Sequence, residues 1–114
     1  MHLRSAFYKQ STGHLHNIST ASVNGSTFVD LRGHRSASLH ILSIDAGYTS
    51  LQVGGNLTVS VDGQTRATYR VTGVDGTGEL WEGPYPPGKD VHVDLQPSYA
   101  NYVIGYLSVV YTYV

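Results

Sequence analysis

The chain carries six histidines and eight acids, and their spacing decides what chemistry is open to it. His14-Leu15-His16 is the one local pair with metal-ligand spacing. Residues two apart on a strand face the same way, so both imidazoles could reach one ion. No third or fourth ligand stands beside them, because His34, His40 and His92 are scattered, and the pair reads as structural or exposed. The acids Asp75, Glu79, Glu82, Asp90 and Asp94 crowd one segment, with Lys89 alone against them. A calcium site needs several oxygens converging from loops, and glycoside hydrolysis needs two carboxyls flanking a sugar cleft. Spacing establishes neither, and these side chains read as solvated loop acids. No Gly-x-Ser-x-Gly elbow, phosphate-binding loop or dinucleotide fingerprint occurs. The expectation is a protein that is not an enzyme and uses no cofactor and no metal.

The aromatics offer binding rather than turnover. Trp81, Tyr85, Tyr99, Tyr102 and Tyr106 could build a platform on which sugars stack, which makes a carbohydrate-binding module one reading. Against it, Trp81 falls in a short apolar stretch and reads as a core plug, and tyrosines near loops commonly serve protein interfaces. Tyr102, Ile104 and Tyr106 are therefore expected to meet a partner. So are Arg4, Phe7, Tyr8 and Lys9, where two aromatics would anchor and two cations would set register.

Composition narrows the classes further. A chain of 114 residues makes one domain with a real core. It has no cysteine, so neither disulfides nor thiolate chemistry arise. The net charge of −1 and the 13% of charged residues exclude the basic excess that nucleic-acid binding wants. No stretch is long and apolar enough to suggest a membrane partner. The first eight residues show no secretory apolar core, so no signal peptide is expected, and the acceptor patterns at Asn17 and Asn56 read as chance matches.

The elements that must position these residues are strands. Thirteen glycines and few helix formers leave no room for a long helix. The last stretch, Tyr102 to Val114, is dense in β-branched and aromatic residues. Its period of two puts Val103, Leu107, Val109, Tyr111 and Tyr113 toward a core. Tyr102, Ile104, Tyr106, Ser108, Val110 and Thr112 take the other face, which is too apolar to stay bare and is expected to be covered. Upstream, Ile18–Val23 and Thr27–Arg32 flank Asn24-Gly25, which predicts a type I′ hairpin. Ala37–Ile44 reads as a strand ended by Asp45-Ala46-Gly47, with Leu39, Ile41 and Ser43 on one face. Leu51–Val53, closed by Gly54-Gly55, reads as a short strand or loop. Leu57–Val61, Asp62-Gly63 and Thr65–Thr72 read as a second hairpin with Ala67, Tyr69 and Val71 on one face. Glu79–Glu82 is a short strand before the stiff connection Gly83 to Gly88, which is not expected inside a strand. Val91, Val93 and Leu95 point inward. About eight strands at roughly ten-residue spacing predict an all-β, jelly-roll-like antiparallel sandwich at 17–114, preceded by an arm at 1–16.

Leu39-His40-Ile41-Leu42-Ser43-Ile44, Leu57-Thr58-Val59-Ser60-Val61-Asp62-Gly63, the connection Gly83-Pro84-Tyr85-Pro86-Pro87-Gly88 and the terminal Tyr106-Leu107-Ser108-Val109-Val110-Tyr111 carry a resemblance. Residues 39–113 resemble small jelly-roll domains of tailed-phage virions. The resemblance implies a capsid cement or decoration subunit, often a trimer, made in the host cytoplasm and held on the capsid surface. Its implied partners are the major capsid protein or other virion proteins, with residues 1–16 as the arm on the shell. A tail or fibre component is the alternative within virions. Residues 1–38, with Asn24-Gly25, fall outside the pattern.

Overall fold

The computed structural model describes residues 12–50, 53–72, 80–98 and 103–114. Eight strands follow in order: β1 (His16–Ser22), β2 (Thr27–Leu31), β3 (Leu39–Tyr48), β4 (Gly54–Val61), β5 (Gln64–Thr72), β6 (Leu80–Tyr85), β7 (Val91–Pro97) and β8 (Gly105–Tyr113). They form two four-stranded sheets, β1-β8-β3-β6 and β2-β7-β4-β5, with every neighbouring pair antiparallel. The chain is thus an all-β sandwich. β1 pairs with β8, β2 with β7, β3 with β6 and β4 with β5. Such nested pairing is that of one long ribbon, folded at the β4–β5 turn and rolled across two sheets, and it is consistent with a jelly roll.

Alternation builds the core. In β7, Val91, Val93 and Leu95 are buried while His92 and Asp94 are half-buried on the other side. In β8 the odd-numbered face is inward as the pattern predicts: Leu107, Val109 and Tyr113 are buried and Tyr111 is half-buried, and Val103, just before the strand, is buried too. They meet Val29, Leu57, Val59 and Val71 in one cluster. Each fully buried Leu, Ile or Val side chain there contributes about 1.5–3 kcal/mol. Asp62-Gly63 turns as predicted. Asp62 has φ +49° and Gly63 φ +81°, the two left-handed residues a type I′ turn requires, and Val61 pairs with Gln64 across it.

Asn24-Gly25 does not make a hairpin. Its flanking strands sit in different sheets, so the turn crosses the sandwich instead of joining neighbours. Gly25 alone is left-handed (φ +85°), and its N–H donates to the Ser22 carbonyl at 3.3 Å. It is packed under Pro97 and Val103, and a side chain at Gly105 would overlap the Gly25 carbonyl. Close backbone approach, rather than hairpin twist, is what glycine supplies here.

Three further expectations change. β3 does not stop at Asp45-Ala46-Gly47 but runs to Tyr48, because β8 is long enough to pair with it throughout. The register between β3 and β8 slips between Ile41 and Ser43, so Leu42 is the extra residue, 45% exposed. The bulge flips the alternation, and Ile44, not Ser43, joins Leu39 and Ile41 inside. Gly54-Gly55 begins β4 rather than closing a segment before it. β6 continues through Gly83-Pro84 to Tyr85. It lies at the end of its sheet, where a missing N–H costs no ladder bond.

Of the expected arm, residues 1–11 lie outside the described residues. Thr12 bridges Tyr113, and the Gly13 N–H donates to the Tyr113 carbonyl at 2.8 Å, so residues 12–16 run along the chain's own sheet.

Candidate functional site

Arg4, Phe7, Tyr8, Lys9 and Tyr102 lie outside the described residues, as do Tyr99 and the Trp81 side chain. Tyr106 is on the even-numbered face of β8, as expected, and Ile104 lies just before the strand. Ile104 is 43% exposed and Tyr106 is half-buried. Among the described residues no other sheet covers that face, since the two sheets pack through their opposite sides. Tyr106 stands between Ala21 of β1 and Gly47 of β3, and Val110 between Asn17 and Ser43. Ser19 and Ser108 face each other at 3.0 Å between hydroxyls, and the Ser108 hydroxyl also reaches Asn17 Oδ1 at 3.2 Å. Asp45, opposite Ser108, is the only charge in these rows. The result is a broad surface of small, hydroxyl and apolar groups that interrupts the usual charged exterior.

Tyr85 does not join Tyr106 in an aromatic platform. It is 4% exposed and faces the interior, opposite Leu39. Its hydroxyl donates to Glu82 Oε2 at 3.1 Å, and the Tyr69 hydroxyl donates to Glu82 Oε1. Tyr69 lies on β5 and Glu82 on β6, so this carboxylate ties the open edge of one sheet to the open edge of the other. Glu82 is therefore not the solvated loop acid that the sequence suggested. The Tyr85 hydroxyl is pushed well up, by burial first and then by the Glu82 charge.

Asp90 also has fixed partners. Asp90 Oδ1 accepts the Gly33 N–H at 2.7 Å, and Asp62 Oδ1 accepts the Asp90 N–H at 2.9 Å. The Asp62 N–H donates to the Asp90 carbonyl at 2.9 Å, and Lys89 Nζ is 3.2 Å from Asp62 Oδ2. The Asp90 N–H, and then Lys89, hold the Asp62 carboxyl below its usual range. These bonds clip the β2–β3, β4–β5 and β6–β7 connections together at one end of the sandwich. A pocket of about 460 Å³ opens there, lined by Asp30, Arg32, Asp62, Asp90 and His92 among others.

On the outer face of the second sheet, His92 Nδ1 is 2.6 Å from Asp30 Oδ1, and His92 Nε2 is 3.9 Å from Asp94 Oδ1. The Phe28 ring lies 5.1 Å from the imidazole. The His92–Asp94 spacing is visible in the sequence; Asp30 joins them only because β2 pairs with β7. Asp30 is exposed and His92 and Asp94 are half-buried, so these contacts sit at the surface and contribute little to stability.

His14 and His16 do not share a regular strand. The strand begins at His16, whose ring stacks on Tyr111 at 5.2 Å, while His14 precedes it and is exposed. Among the described residues no three His, Cys, Asp or Glu side chains are grouped to hold an ion. No described helix is long and apolar enough to cross a membrane. No protein-family model matches this chain, and no curated protein matches it in sequence.

Proposed function

We propose that this chain is a non-enzymatic structural protein of a tailed-phage virion, of the capsid cement or decoration type, acting by docking on the shell. The observation that carries the reading is the outer face of β1, β8 and β3, with Ile104 43% exposed, Tyr106 and Val110 half-buried and Asp45 as its single charge. A face of this kind suits a protein partner, because little charge must be desolvated when it is covered. The carboxylates, by contrast, serve as braces: Glu82 between sheets, Asp62 and Asp90 between loops. The jelly-roll-like pairing agrees with the resemblance carried by residues 39–113. The partner is the major capsid protein or another virion protein, and residues 1–11 add Phe7 and Tyr8 as anchors with Arg4 and Lys9 beside them.

Co-sedimentation with heads of the encoding phage tests this. The wild-type chain should saturate the heads. Tyr106→Glu should weaken binding by about tenfold or more, as expected for a charge placed in a desolvated contact. Deleting residues 1–11 should leave a folded domain that binds less. A wild-type chain that ignores the heads and instead binds immobilised glycans would replace this reading with the carbohydrate-binding one.

A further inference from the structure

A sandwich of two open sheets has four edge strands, and each is a template for another chain unless something guards it. Here the four edges are β1, β6, β2 and β5. β6 carries Pro84, and its pairing with β3 slips twice. β5 carries Arg66 and Arg70 on an exposed strand. β2 is five residues long and bears exposed Asp30. β1 has none of these devices. It runs His16-Asn17-Ile18-Ser19-Thr20-Ala21-Ser22 with no acid, lysine, arginine or proline, and its pairing with β8 is regular over all seven residues. From Asn17 to Ser22 it has a strand neighbour on one side only, among the described residues.

β1 also leaves apolar surface open. Ile18 sits opposite Val109, which is fully buried, yet Ile18 itself is 38% exposed, because among the described residues no strand lies beyond it. A shallow groove of about 400 Å³ runs along Ser19, Thr20 and Ala21 beside Tyr106, Leu107 and Ser108. We infer that β1 is a self-association edge, on which the β1 of a second copy adds antiparallel and joins the two first sheets into one eight-stranded sheet. This assignment is independent of the virion reading.

The occupant follows from charge and size. The edges of β5 and β2 would each bring formal charge to a strand that has no counter-charge, whereas β1 brings none to itself. An antiparallel two-fold pair centred on Ser19, the middle of the strand, sets Ser19 against Ser19, Ile18 against Thr20 and Asn17 against Ala21. No large side chain meets another in these pairs. The two Ile18 side chains become diagonal neighbours on the inward face, where each is shielded from water by the other copy. Main-chain bonds then supply affinity and the row of side chains supplies register, as in other strand additions. A two-fold edge contact differs from the trimer that the resemblance implies, and the two are separable by mass.

Sedimentation velocity of the full chain over a wide concentration range is the experiment, with amide hydrogen exchange at the two extremes. The expected result is a monomer–dimer equilibrium in which amides of Asn17–Ser22 gain protection as dimer forms. Ser19→Lys places two cations directly opposite on the two-fold axis and should weaken dimerisation by about tenfold or more. Asn17→Lys combined with Ala21→Glu places opposite charges across the axis in this register and should keep the dimer. A chain that stays monomeric throughout overturns the inference. So does a trimer, or a dimer that gives β1 no added protection. Should Ser19→Lys not fold, hydrogen exchange on the unaltered chain still decides the matter.

Discussion

The hydroxyl of Tyr48 lies over Gly55, so that a β-carbon at residue 55 would overlap both Tyr48 Oη and the Gln96 carbonyl. Tyr48 is fully buried at the end of β3, in one sheet, and Gly55 is at the start of β4, in the other. The missing side chain in one layer is what admits the ring from the other. Among the described residues, Tyr48 Oη is buried without a hydrogen-bond partner. Gly55→Ala should therefore destabilise the fold by about 1–3 kcal/mol through overpacking. Tyr48→Phe should be neutral or stabilising by about 1 kcal/mol, since it removes a buried unpaired polar group. Urea unfolding of both variants checks the pair, and a large loss of stability in Tyr48→Phe would mean that the hydroxyl is satisfied.

Glu82 should behave in the opposite way. Removing its carboxylate by Glu82→Ala leaves the Tyr69 and Tyr85 hydroxyls without their acceptor between β5 and β6. The expected cost is about 1–3 kcal/mol. Glu82→Gln, which keeps an acceptor oxygen, should cost less. The double variant Tyr69→Phe/Glu82→Ala should cost less than the two single changes added together, because they share one interaction. Additive unfolding free energies would show that the bridge between the sheets carries no coupling.

Buried tyrosines set the alkaline limit of the protein. Tyr48 and Tyr113 are pushed from the ordinary value of 10.0 to about 12. Burial is the leading cause, with the Asp94 charge acting on Tyr48, and Tyr111 and Asp90 on Tyr113. Tyr85 and Tyr111 move in the same direction for the same first reason. The unfolded chain releases these protons near pH 10, whereas the folded chain holds them. Their contribution is complete below about pH 10 and is lost as pH rises toward 12. Urea midpoints followed upward from neutral pH should stay level with respect to these groups and then fall, and Tyr48→Phe should flatten the fall. A midpoint that keeps its value to pH 12 would contradict the assignment.

The β4–β5 turn offers a test of conformation separated from packing. A side chain at Gly63 meets nothing within 4 Å, but the residue sits at φ +81°. Gly63→Val should cost more than about 1 kcal/mol, because a β-branched residue resists the left-handed region. Gly63→Asn, which tolerates that region, should cost less. Melting temperatures of the two variants check the order. Equal values would mean that the turn relaxes to another type.

The elements that sequence alone made legible are those in which a single strand or turn carries its own information. β7 alternates Val91, Val93 and Leu95 against polar neighbours, β8 does so over its odd positions, and Asp62-Gly63 names its turn because few residues accept positive φ. The outward placing of Ile104 and Tyr106 came from the same period. Pairing across long sequence separation could not be read this way. Asn24-Gly25 looks like a hairpin locally, yet β1 gains more by joining β8, where Ile18 and Thr20 extend the inner row of Val109 and Leu107, than by folding onto β2. The bulge at Leu42 follows from matching β3 to β8 and leaves no local mark on the sequence. Glu82 resembled any loop acid until the roll of the ribbon brought Tyr69 and Tyr85 to it. Periodicity reports which face of a strand is wet or dry, while strand order is decided by the packing of all eight strands at once. The His92–Asp30 contact, the Glu82 bridge and the unguarded edge of β1 all depend on that order, and only the tertiary structure decided them.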